Sequence, residues 1–167
     1  MQLVKRYFIK RKLRKKDNQH LDTLLPKVKW TIVYDLSTQA CLNSLIKELQ
    51  NTYNLRPNDI KTICIADDSD SDSTLSYNSL NWLGKLKENK FDAELMSPCE
   101  HLIIYTLRDD LLTQYLQHLI HEDLQVGLAN DGVDNTLTID VNAEETATFV
   151  RELEKYIPHI KFKNEAI

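Results

Sequence analysis

Three short apolar runs, at residues 30–36, 60–66 and 101–107, constrain the fold of this chain more than any other feature. Each is dense in β-branched, aliphatic and aromatic residues, and none shows the strict polar–apolar alternation of a sheet with one wet face. Runs of this kind are strands buried on both sides, as in a parallel sheet covered by helices. The segments between and after them have helical spacing. Ser37 or Thr38 caps a helix running to about Tyr53, with Ala40, Cys41, Leu45 and Leu49 among its inner positions. A second helix is expected over 109–121, and a third over 144–157, stopped by Pro158. A turn falls at 56–59, and part of the mixed stretch 80–96 reads as a short strand. Two further runs, 124–129 and 137–141, have only an Asn130-Asp131-Gly132 turn between them, which predicts an antiparallel pair at one sheet edge. The expected fold is therefore α/β: a three-layer Rossmann-like sandwich with a mostly parallel sheet and an N-terminal basic helix. Its divisions are a basic helix and connector at 1–25, an α/β domain at 26–160 and a short tail at 161–167.

That N-terminal helix, expected over 2–16, carries the most uneven charge in the chain. Lys5, Arg6, Lys10, Arg11, Lys12, Arg14, Lys15 and Lys16 stand there without an acid, while the remaining residues hold 13 basic against 25 acidic groups. A +8 arm thus sits on a −12 body, inside an overall charge of only −4. Leu3, Val4, Tyr7 and Phe8 cluster along the front of the helix, with Ile9 and Leu13 on roughly the opposite side. No apolar run approaches the ~20 residues that span a bilayer. Lys5, Arg6 and Lys10 interrupt the N-terminal apolar residues as no secretory signal would, and the absence of Ser argues against an organelle presequence. The three widely spaced cysteines, Cys41, Cys64 and Cys99, form neither a disulfide framework nor a zinc-ligand spacing, so reduced thiols in a cytoplasmic protein are expected.

Most site chemistries lack their parts. A pyrophosphate needs glycines where the backbone must approach it, and the chain has three, Gly84, Gly127 and Gly132, none of them in the Asp35-Leu36-Ser37-Thr38-Gln39 segment that directly follows the first strand. Asp68-x-Asp70-x-Asp72 opens like a calcium loop, but Ser73 and Ser79 stand where Gly and Glu are needed. A solvated acidic loop is favoured over a Mg²⁺ site there. His118 and His121 are three apart rather than at the zinc-motif spacing, and are read as surface residues near a helix end. Cys41 is the best nucleophile available, in the first turn of a helix after a strand, but its apolar neighbours mark it as packing. If a small ligand binds, Asp35, Asp67 and Asp68 at the strand C-terminal ends are the polar groups to hold it.

Trp82-Leu83-Gly84-Lys85, the run 101–107, Leu124-Gln125-Val126-Gly127, the run 137–141 and the closing segment 149–157 together resemble a family of small Bacteroidota proteins of unknown function. The resemblance covers most of the chain and implies a Rossmann-like domain with a basic N-terminal helix; it supplies no catalytic residues. His101 departs from it, since that pattern has Asp there. The strand, helix and Val-Gly strand order is also similar, more weakly, to the acceptor half of heptosyltransferase-like glycosyltransferases. That similarity implies a nucleotide-sugar site in a second Rossmann domain, for which this chain has no room.

The balance is against an enzyme: no catalytic set, metal site or cofactor is expected, and a small-molecule ligand is disfavoured. The expected function is that of a binding or accessory protein, anchored through residues 1–16 to RNA, a ribosomal surface or a protein complex. Peripheral attachment to an anionic membrane, or packing of the helix on the protein's own acidic body, are the alternatives to docking on such a partner. A ligand-binding or glycosyltransferase-like enzyme using the strand-end acids is the alternative of a different kind.

Overall fold

A computed structural model describes residues 2–15, 26–87, 96–129 and 135–160. Six strands form one sheet: β1 (Val28–Asp35), β2 (Ile60–Ile65), β3 (Thr74–Leu75), β4 (Cys99–Tyr105), β5 (Glu122–Leu128) and β6 (Leu137–Ile139). Their order is β3-β2-β1-β4-β5-β6, and every pairing is parallel. The helices are α1 (Gln2–Lys15), α2 (Gln39–Tyr53), α3 (Leu111–Leu119) and α4 (Thr146–Tyr156).

The three runs that lead the sequence argument become β1, β2 and β4, with β1 between the other two. Their residues alternate between two separate cores, which explains why they carry no polar face. Val33, Ile63, Ile65, Leu102 and Ile104 point to one side, where Leu112, Tyr115 and Leu116 of α3 cover them together with Ile9 of α1. Trp30, Ile32, Ile103 and Tyr105 point to the other side, under Leu45 and Leu49 of α2 and Phe149, Val150 and Leu153 of α4. The architecture is the three-layer α/β sandwich expected, and α1 lies within one of its layers beside α3.

Several local expectations need correction. The edge pair is parallel, not antiparallel: Val126 faces Leu137 and Leu128 faces Ile139 in parallel register. Parallel neighbours are usually joined by a dozen or more residues, and the short separation of these two strands is what suggested a hairpin. Gly127 lies close against the side chain of the residue where the described chain resumes. A Cβ there would stand 2.3 Å from Asn135 Nδ2, and Gln125 Nε2 donates to Asn135 Oδ1 at 2.9 Å. The Asn130-Asp131-Gly132 turn lies outside the described residues, as do Lys16, the connector 17–25, residues 88–95 and the tail 161–167. Within the described part of 80–96 there is no strand, only an isolated antiparallel bridge between Leu80 and Leu86. The two-residue β3 and a 3₁₀ turn at Tyr77–Ser79 are additional. Ala40 is exposed rather than inner, whereas Leu45 and Leu49 are buried. Among the described residues no helix is long and apolar enough to cross a membrane.

Candidate functional site

The strand order reverses between β1 and β4, and in open α/β sheets the crevice at such a point is where ligands sit, against the N-terminus of the helix that follows β1. Here the chain fills that position with its own carboxylate. Asp35, the last residue of β1, is buried. Its Oδ1 accepts the backbone N–H groups of Ser37 and Thr38 at 3.0 and 3.2 Å and the Ser37 hydroxyl at 2.6 Å. Its Oδ2 accepts the Thr106 hydroxyl at 2.8 Å from beyond the end of β4. Thr38 stands at the N-cap of α2 but does not cap with its side chain; its hydroxyl instead donates to the Tyr105 carbonyl at 2.7 Å. These bonds tie the ends of β1 and β4 together. Burial works to raise the Asp35 pKa, but the bonds from Ser37, Thr106 and Thr38 outweigh it and hold the carboxyl below its ordinary value. The turn between β1 and α2 is thus closed on an internal anion, which takes the Ser37 and Thr38 N–H groups just before the helix.

Asp67 and Asp68 are exposed, whereas Asp35 is buried. Asp67 accepts from Arg108 Nη2 at 2.6 Å. Arg108 also donates to Asp110, through Nε at 2.6 Å and through Nη2, so it links the end of β2 to the head of α3. Asp110 in turn caps α3, accepting the Thr113 N–H at 2.9 Å. Asp68 accepts from the Asn78 side-chain amide. Arg108 and Thr106, the partners that occupy these acids, carry no motif and are visible only once β2 and β4 are aligned. Among the described residues no three His, Cys, Asp or Glu side chains are grouped to hold a metal. His118 lies in the last turn of α3 and His121 beyond its end, so they do not share a helical face. Cys41 is a free thiol packed beside the second core, and Cys64 and Cys99 are free and buried. His101 stacks on Trp30 with ring centroids 4.2 Å apart and planes 14° apart.

The N-terminal helix divides its cations between two directions. Ile9 is fully buried in the first core, and Leu13 packs beside it. Lys5, on the same inner side, is 8% exposed and donates from Nζ to the Tyr77 carbonyl at 2.7 Å. Lys12 donates to the Gly84 carbonyl at 3.2 Å, which also accepts the Tyr115 hydroxyl at 2.8 Å. Burial first, then the neighbouring Lys87 and Lys85 respectively, lowers the pKa of both lysines. Gly84 has φ +68°, and a Cβ there would lie 3.2 Å from Ile9 Cγ1, so the turn after Trp82 requires glycine twice over: for its backbone and for the helix resting on it. Arg6, Lys10, Arg11 and Arg14 are exposed on the remaining surface of the helix, with the Arg6 guanidinium 5.1 Å from the centre of the Tyr77 ring. The Lys15 side chain and all of Lys16 lie outside the described residues. Of the eight cations read from the sequence, two are therefore bonded to the protein's own carbonyls and four face outward.

This seat makes α1 part of the domain rather than a separate arm, and the whole defines a class: a parallel α/β sandwich whose N-terminal helix completes one helical layer and turns a cationic face outward. The chain belongs to a family of unknown function, DUF6913, whose model matches residues 3–160 and so includes nearly all of α1. No curated protein and no solved structure matches it.

Proposed function

We propose that this protein is a non-catalytic accessory protein that docks through the outer face of α1 onto a phosphate-rich partner. The observation that carries the reading is the division of cations on α1. Ile9, Lys5 and Lys12 fasten the helix, leaving Arg6, Lys10, Arg11 and Arg14 exposed on an element with no acid. A cationic face held on a rigid body binds without first ordering a chain, which lowers the cost of docking. The occupied state of Asp35, Asp67 and Asp68 supports the same reading against a ligand at the strand ends. A cytoplasmic setting, with RNA or a ribosomal surface among the phosphate-rich partners within reach, accords with three unpaired cysteines.

The test is the salt dependence of binding to a single-stranded polyuridine probe. Each engaged cation contributes about 0.7 log units of affinity per decade of salt, so four give a slope of about −2.8. Replacing Lys10, Arg11 and Arg14 by Gln together should reduce the slope to about −0.7 while leaving the fold intact. A slope unchanged by the triple substitution refutes the assignment of that face.

A further inference from the structure

The outward face of α1 is not only cationic. Leu3 is 79% exposed, Tyr7 62% and Val4 about half, all on the front turns of the helix. Lys10, Arg11 and Arg14 follow on the back turns of the same exposed side. The apolar surface continues off the helix: the Tyr7 and Phe8 rings meet edge to face at 5.5 Å, and Phe8 meets Trp82 likewise at 6.1 Å. Trp82 itself is 60% exposed. Its turn is the one whose Gly84 seats Ile9, so helix and turn are locked together and the aromatic row crosses from one to the other.

We infer that this face is a docking surface for an anionic phospholipid bilayer, with Leu3, Tyr7 and Trp82 entering the headgroup–acyl boundary and Lys10, Arg11 and Arg14 lying among the headgroups. The inference rests on the polyanion reading above and names its partner. Charge complementarity selects the sign of the surface, since α1 has no acid and the exposed cations adjoin the apolar patch. The aliphatic members select lipid over nucleic acid. Aromatic rings can stack on bases, but Leu3 and Val4 at the prow of the helix give a base nothing to stack on. Basic residues beside Trp, Phe and Leu are the composition of helices that lie in a membrane interface. Ile9, on the opposite side of the helix, is held in the core and fixes the apolar and cationic side outward. The lipid contact is therefore made by a preformed surface and not by a helix that folds on arrival.

The chain carries its own reporter. Of its two tryptophans, Trp30 is already buried, at 2% exposed, so any change in emission on binding reports Trp82. The experiment titrates the full chain with vesicles of phosphatidylcholine containing about one third phosphatidylserine, and with pure phosphatidylcholine. The expected result is a blue shift of Trp82, with protection from an aqueous quencher, on the anionic vesicles alone. Replacing Lys10, Arg11 and Arg14 by Gln should weaken partitioning roughly 100-fold, at about fivefold per cation near the surface. Tyr7→Ala with Leu3→Ala should weaken it at least about tenfold, through lost insertion. The same apolar pair should leave polyuridine binding unchanged, and Trp82→Phe should abolish the shift while retaining vesicle binding. Polyuridine binding without vesicle binding, or vesicle binding indifferent to Leu3 and Tyr7, overturns the lipid inference and leaves the polyanion reading standing. A blue shift that depends on protein concentration and not on lipid shows a second copy on the patch and overturns it too. If neither probe binds at low salt, the polyanion reading fails with it.

Discussion

Ile9→Ala tests the geometry on which the functional reading rests. The residue has no exposed surface and sits in the same core cluster as Val33, Ile63 and Leu102. Truncation removes three carbons, which at about 0.8 kcal/mol each amounts to about 2.4 kcal/mol of lost transfer energy. A cavity then remains between α1 and the sheet, because Gly84 offers no side chain to fill it. With the cavity contribution the loss should reach about 3–4 kcal/mol. For a chain of this size that corresponds to a melting temperature lower by about 6–16 °C, at about 2–4 °C per kcal/mol. Leu3→Ala, two turns away on the exposed side, should change stability by no more than about 0.5 kcal/mol. Urea unfolding of the full chain, followed by far-ultraviolet circular dichroism, measures both. Indistinguishable midpoints for the two variants would refute the docking of α1 through Ile9, and with it the distinction between inward and outward cations.

Four further outcomes follow from other parts of the molecule. The folded-state pKa of His101 is lowered, chiefly by burial, so the unfolded chain binds the extra proton; stability should decline as pH falls through the unfolded value of about 6.5, a limb that His101→Gln removes. Asp35 is also depressed, by its hydrogen bonds from Ser37, Thr106 and Thr38 acting against burial, so its contribution is present above about pH 4 and is lost as pH falls toward the folded pKa; Asp35→Ala should cost about 3 kcal/mol at pH 7 in thermal or urea unfolding. Gly127→Ala should destabilise by about 1–3 kcal/mol through the 2.3 Å approach to Asn135, and Asn135→Ala in the same chain should recover part of the loss, as a double-mutant cycle would read. Native-state alkylation followed by mass spectrometry should find Cys41 modified first, since burial raises the Cys64 thiol and pushes Cys99 up to about 12, leaving both inert until unfolding.

The sandwich itself was legible in the sequence, because burial on both faces writes itself into composition: β1, β2 and β4 have no polar side, and only a covered parallel sheet accommodates that. The helices α2, α3 and α4 were legible from spacing and from the stop at Pro158, whereas the Thr38 side chain does not cap α2 and the Asp110 cap of α3 came only with the structure. The direction of β6 was not, since a short separation between two strands fits a hairpin and the parallel register of Val126 with Leu137 is set by pairing in the sheet. The candidate sites divide in the same way. The absence of glycine after β1 was visible in the sequence, but the hydrogen bond that the Asp35 carboxylate accepts there from Thr106 was not, because Thr106 is far away in sequence and adjacent only in the sheet. The eight N-terminal cations were countable, yet helical periodicity alone cannot say which stripe of a mixed helix turns inward. Leu3, Val4, Tyr7 and Phe8 form the larger apolar group, and the tertiary structure buries Ile9 instead, because the turn at Gly84 is open enough to receive it and the Tyr77 and Gly84 carbonyls satisfy the lysines on either side. Composition determined that this chain carries a cationic helix; the shape of the body that receives the helix determined which of its charges and rings face outward.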